Sequence, residues 1–217
     1  MMKLITQMKT QILKNNYIIY LLKSILGGFS IGLGGLAYLS CDNKIVGALF
    51  FTVGLFTILV FNLNLFTGKL CYVIENKNYV EVTITLIGNF IGTAFIAILA
   101  QLCNLSIVDK AQAVVFNKMN NSYISLFVLA ILCNIMIYIA VEGFKRKGII
   151  GIVALFFGVS VFIICGFEHC VADMFYFNYV QMYSADAFLR LFIIILGNIV
   201  GGVFIRFIHK NLVENIN

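Results

Sequence analysis

The sequence predicts an all-α membrane protein in which six transmembrane helices form two inverted three-helix repeats, with the second and fifth helices broken. Hydrophobic residues make up 62% of the 217-residue chain and charged residues only 11%, whereas a soluble domain carries about 25% charged residues to cover its surface. Six apolar segments approach the roughly 20 residues that one membrane crossing requires. Two of them run into polar, Gly-containing interruptions at corresponding places, which is typical of discontinuous helices.

The six apolar segments lie near residues 24–41, 45–63, 83–103, 123–143, 149–166 and 187–208. They predict a six-helix membrane domain at 24–210, with repeats at 24–104 and 122–210, and a C-terminal tail at 211–217.

The segment before this domain, residues 1–23, is predicted to be a cytoplasmic amphipathic helix. Leu4, Ile5, Met8 and Ile12 fall on one helical face, and lysines are spread among polar residues around them. Such a helix can lie on the membrane surface. A frayed polar tail is the alternative interpretation.

The distribution of Lys and Arg predicts that both termini are cytoplasmic. With the N-terminus inside, eleven of the 15 basic residues fall in inside segments, and the four outside are Lys44, Lys110, Lys118 and Arg190. Positive residues are retained on the cytoplasmic side of membranes. Topology therefore explains the net charge of +6, and no nucleic-acid partner is predicted.

A short internal repeat supports the two-fold organisation. Gly88-Asn89-Phe90-Ile91-Gly92 opens the third apolar segment, and Gly197-Asn198-Ile199-Val200-Gly201 lies in the sixth. Two Gly residues four apart allow helix backbones to approach closely. With three helices per half, the second half is inverted, and in such proteins the binding site lies between the halves.

The two interruptions are the predicted functional region. Asn62 to Lys69 follow the second apolar segment, and Gly166 to Asp173 follow the fifth. Non-helical backbone at membrane depth is tolerated where it lines a cavity or is buried in protein. The chain contains no Pro, so we expect Gly68 and Gly166 to break the helices through positive φ angles.

The residues of both interruptions resemble the two motifs of the formate/nitrite transporter family. The first is Leu65-Phe66-Thr67-Gly68 and the second runs from Gly166 to Phe175 as Gly-Phe-Glu-His-Cys-Val-Ala-Asp-Met-Phe. The resemblance implies a homopentamer of aquaporin-like protomers in the bacterial inner membrane, each with its own pore for small monovalent anions. Among the subgroups, the short chain is most similar to bacterial hydrosulfide channels, and no cofactor is implied.

The resemblance also assigns site residues. It implies that His169 is the central pore histidine, that Thr67 faces it, and that the apolar constrictions are formed by Leu65, Phe66, Phe51, Leu55, Phe162 and Ile137. Glu168 and Asn134 are expected to support the broken helix. Asp173 replaces the family's usual Asn and is counted with the loop-supporting residues; its carboxylate is expected either to alter the hydrogen bonding of the loop or to face the cytoplasmic water. Lys147 is the candidate for an anion-attracting lysine.

Several of these residues have simpler explanations. Glu168 can serve as a proton carrier or as an acceptor for loop N–H groups. Thr67 can cap the following short helix, and Phe or Leu at helical spacing usually packs against other helices or lipid. A lone intramembrane His is costly, and its default interpretation is functional. Burial disfavours the imidazolium form, so His169 is predicted to be uncharged at rest.

Together these features predict a channel for a small monovalent weak-acid anion, with hydrosulfide favoured and formate or nitrite also suited. A proton-coupled formate/nitrite secondary transporter is the alternative, which a reversal-potential measurement distinguishes. An enzyme is not predicted, because no nucleophile or cofactor motif accompanies Glu168 and His169. The six cysteines show no CxxC spacing, so no metal site is predicted.

Overall fold

The computed structural model describes the backbone of residues 2–103 and 105–214, and the side chains of residues 16–103 and 105–213. Within these ranges the chain is helical, with no strand. The helices are α1 Met2–Ser40, α2 Lys44–Val60, α3 Phe66–Leu70, α4 Val73–Asn76, α5 Tyr79–Leu102, α6 Val108–Asn120, α7 Tyr123–Phe144, α8 Gly148–Cys165, α9 Cys170–Tyr179 and α10 Ala185–His209, with a π-helical turn at Lys210–Glu214.

Five helical stretches in the described residues are long and apolar enough to cross a membrane. They are Asn16–Ser40, Tyr79–Leu102, Tyr123–Phe144, Gly148–Cys165 and Ala185–Val213. The sixth crossing combines the shorter apolar helix α2, Lys44–Val60, with α3 and α4. This arrangement confirms the predicted all-α class with broken second and fifth helices.

The first helix differs from the expected boundary. α1 continues from Met2 to Ser40 without an interruption at residue 23. Among the described side chains, the stretch Asn16–Ser40 is long and apolar enough to cross a membrane, so residues 16–23 are helically continuous with the first apolar segment. The amphipathic face predicted from Leu4 to Ile12 involves side chains outside the described residues and stays a prediction.

Side-chain caps define where several helices begin. The Asn43 carboxamide accepts hydrogen bonds from the N–H groups of Ile45 and Val46 at the start of α2. Ser122 and Ser184 cap α7 and α10 in the same way. These caps satisfy N–H groups that have no partner within a helix, so each helix starts at a defined residue.

The two Gly-Asn repeats allow the close helix approach that their spacing predicts, and the structure identifies the partner as the first helix of each half. A Cβ at Gly92 would overlap the carbonyl oxygen of Ile25 in α1, and one at Gly201 would overlap that of Ile131 in α7. Only Gly permits this separation at both contacts. The pairs α1–α5 and α7–α10 are thus equivalent contacts in the two halves.

The breaks in the two helices arise differently from each other. Gly166 ends α8 with φ +69°, as expected. Gly68, in contrast, lies inside α3 without a positive φ, so that prediction was wrong. Asn62 adopts φ +51° in the first break instead. Asn is one of the few residues besides Gly that tolerate the left-handed conformation, and it replaces Gly here.

A helix that the sequence analysis left as an outside loop lies between the two halves. α6 packs against α9 and α10, with Ala111 and Val115 buried one turn apart. Arg190 of α10 holds the C-terminal end of α6. The Arg190 guanidinium donates to the carbonyl oxygens of Lys118 and Asn121 at 3.1 and 2.6 Å. This anchoring directs the Lys118 side chain towards the second break.

Candidate functional site

The two helix breaks meet at a direct contact between Thr67 and His169. Thr67 Oγ1 lies 2.9 Å from His169 Nε2, although the two residues are 102 positions apart. Thr67 is the second residue of α3, and His169 occupies the N-cap position of α9. Both are buried, so this polar pair lies inside an apolar molecule.

A second hydrogen bond defines the protonation of the His169 ring. Nδ1 accepts from the backbone N–H of Ala172 at 3.1 Å, so this nitrogen carries no proton. A neutral imidazole then has its proton on Nε2, which donates to Thr67 Oγ1. The Thr67 hydroxyl proton is consequently left to donate to another group.

Aromatic side chains enclose one side of this pair. The Phe162 ring stacks on the His169 ring, with centroids 5.6 Å apart and an interplanar angle of 17°. Phe51 meets Phe162 edge to face at 5.8 Å. Phe51, Phe162 and Leu55 are each 1% exposed. Three of the predicted constriction residues therefore lie in the tightly packed region of α2 and α8.

The remaining predicted constriction residues are buried, but they belong to other elements than α2 and α8. Leu65 precedes α3 in an extended conformation, and Ile137 lies on the inner face of α7. Phe66 begins α3 and lines a cavity of about 1020 Å³ between α3, α5 and α10. The Phe66 side chain therefore contributes to a separate groove beside the helix break.

Two asparagines that the sequence analysis noted only for their glycine neighbours hold the breaks in equivalent ways. Asn89 Oδ1 accepts from the first N–H of α3, that of Phe66, at 2.9 Å, and its amide donates to the Asn64 and Ser24 carbonyls. Asn89 thus bonds the loop, the short helix α3 and the first helix of its half.

Asn198 repeats this pattern in the second half. Its Oδ1 accepts from the first N–H of α9, that of Cys170, at 3.0 Å. Its amide donates to the Glu168 carbonyl at 2.9 Å and to the Ala130 carbonyl of α7 at 2.8 Å. The matching positions of two Asn residues 109 apart were the available signal in the sequence.

Asn134, predicted to support a helix break, contacts the first break. Its amide donates to the Thr67 carbonyl oxygen at 3.3 Å. Asn134 belongs to α7 in the second half, so this bond connects the two halves at Thr67 itself.

A buried charge cluster lies beside the second break, and its cation was missed. Lys118 of α6 bonds the Glu168 carboxylate and Asp173 Oδ1, the latter at 2.7 Å. Burial alone would lower the pKa of the Lys118 amine, but attraction to Asp173 and Glu168 outweighs this and holds that pKa above its ordinary value. Lys118 was counted only as an outside loop charge.

This cluster changes the interpretation of two predicted residues. The structure pairs the Glu168 side chain with Lys118. The two roles considered for Glu168 from the sequence were a proton carrier and an acceptor for loop N–H groups, and neither included this ion pair. Lys147, the candidate anion-attracting lysine, is exposed at the start of α8 with φ +57°. It does not belong to the buried cluster around His169.

A six-helix membrane protein whose two broken helices meet at a buried polar pair has the architecture of a protein with a central pore or binding site. The model of the formate/nitrite transporter family matches residues 1–209. The chain therefore belongs to the formate/nitrite transporter family.

Individual relatives have moderate identity. The chain is 28% identical over 152 residues to the formate channel FocA of Haemophilus influenzae. That match covers 61% of this chain and 52% of the channel, so the chain matches about half of FocA. It is 27% identical over 229 residues to the formate-nitrite transporter of Plasmodium falciparum, covering 85% of this chain and 74% of that protein.

Solved structures share the fold. A pentameric formate channel with formate bound aligns with a TM-score of 0.80 and 21% identity, covering 93% of this chain and 99% of that chain. An ion channel of the same family aligns with a TM-score of 0.83 and 22% identity, covering 91% of each chain.

Proposed function

We propose that this chain forms a membrane channel for a small monovalent weak-acid anion, such as hydrosulfide, formate or nitrite. The observation that carries this proposal is the buried contact of Thr67 with His169 where the two broken helices meet. A buried polar pair at that position offers donors to a small anion in surroundings that are otherwise apolar. Membership of the formate/nitrite transporter family supports the same class of cargo.

The apolar side chains around this pair set the energetic problem. Moving an anion from water past Phe51, Leu55 and Phe162 is costly unless hydrogen-bond donors replace the lost water. In this proposal the Thr67 hydroxyl donates to the anion, because His169 Nε2–H already donates to Thr67 Oγ1. The positive N-terminal end of α9 adds a favourable potential.

A weak-acid anion has a further route past the constriction. It can take up a proton from water near the pair and cross the apolar region as a neutral acid. His169 and Thr67 then stabilise the anion before this proton transfer. The route suits hydrosulfide and formate better than anions of strong acids.

We further propose that the chain assembles as a homopentamer with one pore in each protomer. The likeness to a pentameric formate channel supports this assembly. Native mass spectrometry of the purified protein is expected to give five times the 24.3 kDa protomer mass. A monomer that retains full flux would contradict the pentamer and leave the pore proposal standing.

Proteoliposome flux tests the central pair. Hydrosulfide, formate and nitrite are expected to pass faster than chloride, and His169→Phe is expected to lower their flux strongly, because Thr67 then loses the partner that orients its hydroxyl. His209→Phe is the matched control, since His209 lies at the far end of α10 and bonds Tyr138. If His169→Phe kept full pH-dependent flux, the proposed role of His169 would be wrong.

A further inference from the structure

We propose that Glu168 and Asp173 together bind one proton beside Lys118, which makes this cluster a proton-binding site next to the anion path. Its effect on transport rests on the proposed function, whereas the bound proton itself does not. The argument starts from the charges that the fold brings together at the N-terminal end of α9.

The first step is the balance of charge among the three buried side chains of the cluster. Lys118, Glu168 and Asp173 have side chains that are only 11%, 5% and 1% exposed. One ammonium group therefore faces two carboxyl groups away from water. If both were ionised, one negative charge would be buried without a counter-charge, which is a costly state.

The second step is an oxygen that lacks a donor. Lys118 bonds Asp173 Oδ1, while no group among the described residues donates a hydrogen bond to Asp173 Oδ2. The carboxyl groups of Glu168 and Asp173 both contact the same Lys118 ammonium group, so they lie close to each other. A proton between them would turn this repulsive contact into a hydrogen bond, as adjacent carboxyl groups do elsewhere.

The third step is that, among the residues the structure describes, the other titratable groups acting on the cluster bring no second positive charge. The other titratable groups acting on the cluster are Tyr38 of α1, Cys133 of α7, His169, and Cys170 and Tyr176 of α9. Phenols and thiols are ordinarily uncharged near neutral pH, and His169 Nδ1 accepts a hydrogen bond.

Arg190 of α10, which holds the end of α6, is itself paired with Asp186 at 2.8 Å. A bound proton is therefore the remaining way to neutralise the cluster. When that proton is lost, a net negative charge appears beside His169, and it opposes the entry of anions. The cluster would thus favour anion passage on the acidic side of its titration.

Infrared spectroscopy of the full chain in dodecyl maltoside, a detergent without carbonyl groups, tests the bound proton directly. The wild type is expected to show a protonated carboxylic acid band at neutral pH, equivalent to one group per protomer and lost reversibly in alkali. Glu168 and Asp173 are the two acidic side chains classed as buried within the described residues. Surface carboxylates are ionised at neutral pH, so they do not contribute to this band.

Variants assign the band. Asp173→Asn is expected to abolish it, because Lys118 then faces a single carboxylate, and Glu168→Gln provides a second test should the first variant not fold. Asp186→Asn is the control that keeps the band. Absence of the band from the wild type, or its full retention in Asp173→Asn, would overturn the proposal whether or not the protein transports anions.

Discussion

At the scale of single residues, the structure is notable for how its buried polar groups are paired. Thr67 bonds His169, Asn134 bonds the Thr67 carbonyl, and Lys118 bonds two carboxyl groups. Removing one member of such a group leaves its partner buried and unsatisfied, which costs more than the bond itself contributes. Substitutions at these positions therefore have large and predictable effects.

Lys118→Met is expected to destabilise the protein strongly. It leaves the Glu168 and Asp173 carboxyl groups without their cation, and breaking a buried ion pair costs about 3–5 kcal/mol. Denaturant unfolding in detergent measures the effect. Lys110→Met on the same helix is the control, since its pair with Asp42 is exposed and exposed pairs contribute little to stability. Equal losses in both variants would argue against a buried pairing of Lys118.

Asp173→Asn is expected to flatten the pH dependence of nitrite flux. For an assumed separation of about 10 Å, a buried charge changes the energy of an anion by about 1.7 kcal/mol at an effective dielectric constant of about 20. Wild-type flux should therefore fall roughly twentyfold as the shared proton is lost in alkali, while the variant's flux changes little. A variant with the same pH profile as the wild type would contradict this coupling.

At the scale of elements, the two helix breaks depend on a pair of equivalent asparagines. Asn198→Ala removes three hydrogen bonds and is expected to lower the free energy of unfolding by about 2–4 kcal/mol, at about 1 kcal/mol per bond. Asn89→Ala should behave similarly, because it makes the same three bonds. Thermal or denaturant unfolding measures both.

The control for these variants is Asn120→Ala at the exposed end of α6. Its amide makes one bond to a carbonyl within the same helix, so a change within about 0.5 kcal/mol is expected. If Asn198→Ala were as mild as this control, the second break would be held by other contacts.

Glycine substitutions distinguish close helix contacts from open positions. Gly92→Ala is expected to separate α1 from α5 and lower stability by more than about 1–3 kcal/mol, the usual cost of overpacking. Gly68→Ala is the matched control. The nearest atom to its new Cβ is Val141 Cγ2 at 3.7 Å, an ordinary contact, and Ala favours a helix by about 1 kcal/mol over Gly. Equal destabilisation by both substitutions would contradict the packing of α1 on α5.

At the scale of the whole molecule, the inverted arrangement predicts which surface faces outward. With the N-terminus inside, α5 ends outside at Cys103, which is exposed. A membrane-impermeant maleimide is expected to label Cys103 in intact cells, and Cys103→Ser should reduce the labelling to that of the partly exposed Cys41 on the same side. Lys77→Cys, placed between α4 and α5 on the other side, should react only after the membrane is opened. The reverse pattern would show that both termini lie outside.

The sequence by itself determined the class of molecule. Apolar segments of crossing length, two polar interruptions and the paired Gly-Asn motifs were enough to predict the helices, their breaks and the close contacts at Gly92 and Gly201. These features depend on residues close together in the chain, where periodicity and turn chemistry act directly. The motif around His169 also placed this residue at the second break.

Only the tertiary structure decided how distant residues meet. Lys118 looked like one more loop charge because the sequence cannot show that α6 folds back against α9 and brings Lys118 to Asp173. Similarly, Asn62 rather than Gly68 adopts the left-handed conformation, since the helix resumes at Phe66 and encloses Gly68. Charge pairing and backbone strain depend on which groups are buried together, and burial is a property of the folded chain.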